Sequence, residues 1–205
     1  MTFFDDKIAQ IRGELKTEAR QKEMQESLTQ ELVNKGIAEG ELTVDQQMFT
    51  FHSIALAEDA IWMSVPADFD EMNPEMVTLK YPSSHRPQLI LTDDSSKFNV
   101  TFLVTNNEMK PGEMSNFTYA MLSAVRSMQP NTVFLSDGIK ALSNQEIGYL
   151  EMLTPALDGT IYNLLFFAVW NKKIVQTSIN CMEEDMALWQ KFAHGMMETF
   201  TLKEE

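Results

Sequence analysis

The chain has 205 residues, enough for one domain with a sizeable core, or for one domain and an arm. Its 44% hydrophobic and 22% charged residues exclude a disordered chain, and a net charge of −14 argues against nucleic acid or an anionic membrane surface as the main partner. A single cysteine, Cys181, excludes an intramolecular disulfide and any zinc site built on cysteine pairs.

The start, MTFFDDKIAQIRGEL, carries Asp5 and Asp6 and does not read as a signal peptide. No apolar window is long enough for a membrane span, so a cytoplasmic compartment is expected. Residues 4 to about 35 read as a helix, with Phe4, Ile8, Ile11 and Leu15 on one stripe and Met24, Leu28 and Leu32 resuming it. Gly36 reads as its stop. After residue 40 acids outnumber bases 22 to 10, whereas before it the two nearly balance at 8 to 6. That step places a boundary near 40–45 and divides the chain into a helical arm and linker, 1–45, and a domain, 46–205.

Strands are expected at Met48–Ile54, Ala60–Val65, Gln88–Thr92 and Lys97–Thr105. In the last of these, Phe98, Val100, Phe102 and Val104 share a face. A helix follows from Pro111-Gly112-Glu113 to about Met128, with Phe117, Met121, Val125 and Met128 beside Leu122. Next come a strand over Thr132–Leu135, a turn at Asp137-Gly138, and a strand over Glu146–Leu153. Thr160–Trp170 and Ile174–Cys181 form a hairpin through Asn171-Lys172. The first of its strands is apolar on both faces and belongs in the middle of a sheet. A last helix ending near Phe200 buries Leu188, Trp189, Phe192, Met196 and Phe200. Alternating βαβ units are absent, so the class is α+β: a mainly antiparallel sheet of six to seven strands flanked by helices in an α/β/α sandwich, with the N-terminal arm added.

Chemistry is sparse. His52, His85 and His194 have no metal-binding spacing, and His85-Arg86 in its proline-flanked loop reads as solvated, with an anion site as the alternative. Cys181 alternates with Val175, Thr177 and Ile179 on the core face and precedes Glu183, Glu184 and Asp185, so it reads as an inert buried thiol. Asp68, Asp70, Glu71, Glu75, Asp93 and Asp94 read as solvated turns. No phosphate cradle or nucleophile motif is present, so no catalytic, cofactor-binding or metal-binding residue is assigned and the chain reads as a non-enzyme. Fifteen methionines suit gap filling or a permissive surface, and Met109, Met114, Met196 and Met197 fall where exposure is compatible with the pattern. The face of the last strand formed by Ile174, Gln176, Ser178 and Asn180 is semi-polar, as suits a sheet face left partly uncovered for a partner helix.

Several phrases carry a family resemblance: Val65-Pro66-Ala67-Asp68-Phe69; Tyr81-Pro82-Ser83-Ser84-His85-Arg86-Pro87; the Thr92–Thr105 hairpin and the helix after it; Leu157-Asp158-Gly159 with Tyr162-Asn163; Asn180-Cys181; and Trp189 in the last helix. Together they resemble the PsbP-like α/β/α fold, and within it the DcrB-related bacterial branch, over roughly residues 46–202. Members of that group are mostly not enzymes. One branch supports a photosystem, another binds a small GTPase, and the bacterial branch includes an envelope lipoprotein and the cytoplasmic Eag-type chaperones, which hold hydrophobic helices of secreted toxins. This chain departs from the lipoprotein in lacking a lipobox and from all of them in its long N-terminal helix. The resemblance implies a cytoplasmic adaptor or chaperone that binds an apolar or amphipathic helix of a protein partner, such as a secreted effector. The expected contact residues are Ile174, Gln176, Ser178 and Asn180, with Phe4, Ile8, Ile11 and Leu15 on the arm. The alternative is a structural, self-assembling protein that homodimerises through that arm.

Overall fold

The computed structural model describes Lys7 and residues 28–203, apart from Glu58, Pro111, Ser143, Asn144 and Asp158. The stripe of Phe4, Ile8, Ile11 and Leu15 therefore lies outside the described residues. Among the described residues, two antiparallel sheets and four α-helices from Gln30 onward make an α+β architecture. The smaller sheet has the order β1-β2-β3-β11, from β1 (Glu41–Val44), β2 (Gln47–Leu56), β3 (Ile61–Pro66) and β11 (Thr201–Leu202). The larger has the order β4-β5-β6-β10-β9-β8-β7, from β4 (Asp70–Glu71), β5 (Leu89–Thr92), β6 (Asn99–Glu108), β7 (Val133–Leu142), β8 (Gln145–Ala156), β9 (Gly159–Trp170) and β10 (Lys173–Met182). The helices are α1 (Gln30–Glu39), α2 (Pro74–Lys80), α3 (Met114–Met128) and α4 (Met186–Glu198).

The β9–β10 hairpin is the middle of the larger sheet, as its two apolar faces require. Leu164, Phe166 and Ala168 point to one face, with Val175, Ile179 and Cys181 beside them. There they meet α4 and the smaller sheet, where Phe192 packs edge-on against Phe49 and Phe51 and Leu56 and Ile61 face Phe102 and Val175. Leu165 and Phe167 point to the opposite face and pack under α3 with Leu122, Val125 and Ile174. Period-two alternation thus divides one strand between two separate cores.

Some sequence readings are corrected. Gly36 does not stop the first helix. It lies inside α1, where an added Cβ would sit 2.9 Å from Leu42 Cβ, and the true C-cap is Gly40 at φ 92°. The buried stripe of α1 is Val33, Gly36 and Ile37, while Leu32 is exposed. Asp137-Gly138 is not a turn. β7 runs unbroken through it, paired Asp137 to Leu150 and Gly138 to Tyr149, because the ladder to β8 overrides the local turn tendency. Met128 is exposed on α3 instead of sharing its buried face, which is Met114, Thr118, Leu122 and Val125. Met109, Met114, Met196 and Met197 are all buried, so they fill core gaps and present no permissive surface.

Candidate functional site

The two faces of the larger sheet are covered unequally. On the face away from α4, α3 lies over β7 and β8. At the far end Pro74 and Val77 of α2 share a small cavity with Gln88 and Ile90 beside β5. Between these covers the middle strands β6, β10 and β9 remain half-exposed at Leu103, Gln176, Ser178, Asn180, Asn163 and Ile161. Gln176 sits opposite Leu103, and Ser178 opposite Thr101 on one side and Leu165 on the other. Gln176, Ser178 and Asn180 therefore lie on the open face, as their alternation requires. Ile174 does not: it is 4% exposed and belongs to the core beneath α3, in one cluster with Met109 and Phe167.

Where the open face meets α2, three asparagines stand in a row across three strands. Asn180 on β10 is opposite Asn99 on β6 and Asn163 on β9. Asn99 donates through Nδ2 to Asn180 Oδ1 at 3.0 Å. Asn180 donates in turn to Ser178 Oγ at 3.5 Å, and its side chain also hydrogen-bonds Tyr81, just beyond α2. Burial pushes the Tyr81 phenol above its ordinary value and the bond from Asn180 opposes that shift. Asn163 donates weakly to the Ile161 carbonyl at 3.4 Å. Asn99 is 4% exposed, yet its Oδ1 has no hydrogen-bond partner. The row floors a cavity of about 550 Å³ whose rim carries Lys80, Lys97 and Glu184, with Ile161 and Met182 as apolar lining.

A second polar cluster lies on the opposite face, under α4. Glu151 Oε1 accepts hydrogen bonds from Tyr162 Oη (2.8 Å) and Gln190 Nε2 (2.7 Å), and pairs with His194 Nε2 at 3.1 Å. Burial alone would raise this carboxyl, but the bonds from His194, Gln190 and Tyr162 and the His194 charge hold it down at about 2. Burial and the adjacent carboxylate raise the Tyr162 phenol. With its oxygen engaged three times over, Glu151 acts as an anchor between α4 and the sheet. Cys181 is 2% exposed, and burial, then the Asp185 charge, push its thiol up to about 12, as an inert thiol requires. His52 is exposed on β2, and His85 is exposed in its loop, beside Ser84 Oγ at 3.2 Å. Among the described residues no group of three His, Cys, Asp or Glu could hold a metal ion, and no helix is long and apolar enough to cross a membrane.

No known family's sequence profile matches the chain, and no curated protein matches it. Solved structures do. The chain is similar to the cyanobacterial PsbP (CyanoP) of Synechocystis, with 11% identity and a TM-score of 0.56 over 75% of this chain and 92% of that one. It is also similar to LpqN of Mycobacterium tuberculosis, described as involved in cell envelope biogenesis, with 10% identity and a TM-score of 0.51 over 76% of this chain and 92% of that one. At such identities the likeness is one of fold, and the fold is PsbP-like.

Proposed function

We propose that this PsbP-like chain is a non-enzymatic adaptor or chaperone of the cytoplasm, of the DcrB-related kind that includes the Eag-type chaperones. Its work is to hold an apolar or amphipathic helix of a protein partner, such as a secreted effector, against the open face of the larger sheet. One observation carries the reading. An antiparallel sheet can leave one face to water, but here the uncovered stretch carries aliphatic surface: Leu103 and Ile161 stand only half-buried, beside Gln176 and Ser178, between α2 and α3. A docked helix would complete the layer that α3 begins, burying the two aliphatic side chains and pairing its own polar groups with Gln176 and Ser178. The Glu151 network supports the non-enzymatic part, since donors from α4 and from β9 converge on its Oε1 and tie the helix to the sheet.

A photo-crosslinking residue placed at Gln176, compared with one at exposed His52 on the smaller sheet, tests this in the native cell. The expected result is adducts at position 176 that map to a helical segment of one other protein, with none at position 52. Equal labelling from both positions would sink the reading. Adducts between two copies of this chain would replace it with the self-assembling alternative.

A further inference from the structure

Half of the large apolar side chains left exposed among the described residues fall on one helix and the strand that follows it. Tyr119 and Met128 lie on α3, and Val133, Leu135 and Ile139 on β7. β7 is ten residues long and ends the larger sheet, and among the described residues no strand pairs with its outer edge. Backbone N–H and C=O groups along such an edge are the chemistry that another strand recognises. A bulge between Phe134 and Ser136 breaks the register near the start of β7. From Ser136 to Leu142 the ladder to β8 is regular, so a straight edge remains.

The α3 side of that edge is apolar and balanced in charge. Ile139 pairs with Gly148, and a Cβ on Gly148 would lie 1.8 Å from Thr118 Oγ1, so Ile139 points to the face that α3 covers, and Asp137 with it. Thr118 itself points down onto the sheet. Phe117 turns toward β9, where it packs edge-on against Phe167, and Arg126 lies over Phe134 of β7 at 5.0 Å. Tyr119 follows Thr118 in the sense opposite to Phe117, and it precedes Arg126 by about two helical turns. It therefore stands on the β7 side of α3, where it is 71% exposed. Arg126 is the one charged residue among the 15 of α3. Asp137 is the one charged residue on this side of β7, since Lys140 pairs with Ile147 of the opposite core and bonds Glu198. One base and one acid thus meet in a chain of net charge −14.

We infer that this surface takes a second copy of the chain, with β7 paired antiparallel to its twin about a two-fold axis at Ile139. Charge selects this occupant. The acidity of the chain would recruit a basic partner, but this edge carries no excess of acid, and a balanced apolar surface is complementary to itself. The helix layer agrees. A two-fold axis normal to the sheet leaves both α3 helices on the same side, over β7 and β8 of their own copies. Neighbouring strands are about 4.8 Å apart, so the two helices stand about 10–14 Å apart. Helices pack at about 8–10 Å, and a tyrosine from each copy fills the difference. In this register Ile139 meets its twin and Asp137 meets Ala141, whereas an axis at Asp137 would set two carboxylates together. The inference does not rest on helix docking at the open face. Gln176 lies on β10, three strands in from β7 and about 14 Å from that edge, so a crosslink at position 176 reports on the open face alone.

Sedimentation of the full chain should show reversible dimerisation between about 1 and 100 µM, as suits an interface at the small end of the usual range. Ile139→Cys, treated with a short bismaleimide at the same concentrations, tests the register. The native thiol of Cys181 is 2% exposed, so crosslinks report on position 139. The expected result is a covalent dimer from that variant and none from His52→Cys, which places a thiol on exposed β2. Ile139→Lys, which sets two ammonium groups against each other, should weaken the dimer about tenfold. Tyr119→Arg changes an exposed side chain on α3 and should act in the same direction if Ile139→Lys fails to fold. A chain that stays monomeric at about 100 µM leaves the edge to a foreign strand and overturns the inference. So does a dimer that a folded variant leaves unchanged, or a crosslink yield at position 139 no greater than at position 52.

Discussion

Glu151 shows how much a single residue can fix and how little of that is visible locally. It lies in EIGYLEML, where alternation alone makes it one more position of a strand. Its donors come from Tyr162 on β9 and from Gln190 and His194 on α4, between 11 and 43 positions later in the chain, so only the tertiary fold shows that this acid is buried and held. The carboxyl is held at about 2, below its ordinary 4.5, so it titrates later in the folded state than in the unfolded one. Its contribution is complete above pH 4.5 and is lost as the pH falls toward 2, about 3 kcal/mol in all. By about pH 3 roughly 2 kcal/mol of it should be gone. Urea denaturation of the wild type and Glu151→Gln at about pH 6 and about pH 3 checks this. The variant should be less stable at the higher pH, and the gap should narrow by about 2 kcal/mol at the lower one. A constant gap would mean that Glu151 is not ionised in the fold.

At the scale of elements, the β9–β10 hairpin was legible because its turn sets its register. Asn171 and Lys172 both adopt left-handed φ, 49° and 63°, the pattern of a two-residue hairpin turn. Counting outward from that turn pairs Asn163 with Asn180, so half of the asparagine row could be read from the sequence. The other half could not. Asn99 reaches Asn180 through a β6–β10 pairing that joins residues 81 positions apart, and no local pattern encodes it. The unpaired acceptor follows from that pairing, which is why the cavity escaped sequence reading although Ser178 and Asn180 did not. The turn also makes a prediction. Lys172 carries a Cβ at φ 63°, where glycine is favoured, and its backbone carbonyl accepts from Met109 N at 2.7 Å whatever its side chain. Lys172→Gly should therefore raise stability by about 0.5–1 kcal/mol without altering the sheet. A higher urea midpoint with an unchanged slope would show it, and a lower midpoint would mean that the lysine side chain contributes more than the strain costs.

At the scale of the molecule, the step in charge near residue 40 and the course of the core are different properties. Val33 and Ile37 of α1 and Val44 of β1 belong to the same core as Phe192 and Met196 of α4, although the charge pattern places them in the arm. Packing decides this through a close approach that composition does not register. A Cβ added to Gly195 on α4 would lie 2.5 Å from Ile37 Cδ1 and 3.3 Å from Val33 Cγ1, so the two helices meet where α4 has no side chain. Ile37→Val removes that Cδ1, and Gly195→Ala adds a methyl into nearly the same space. Alone, the first should cost about 1 kcal/mol as a small cavity. The second should cost about 1–2 kcal/mol, with overpacking exceeding the gain in helix propensity. Together they exchange one methyl for another across the interface, so the double variant should be more stable than the sum of the singles by about 1–2 kcal/mol. A double-mutant cycle on urea midpoints of the full chain measures that coupling. Strict additivity would mean that α1 does not dock on α4 through Ile37 and Gly195 in solution.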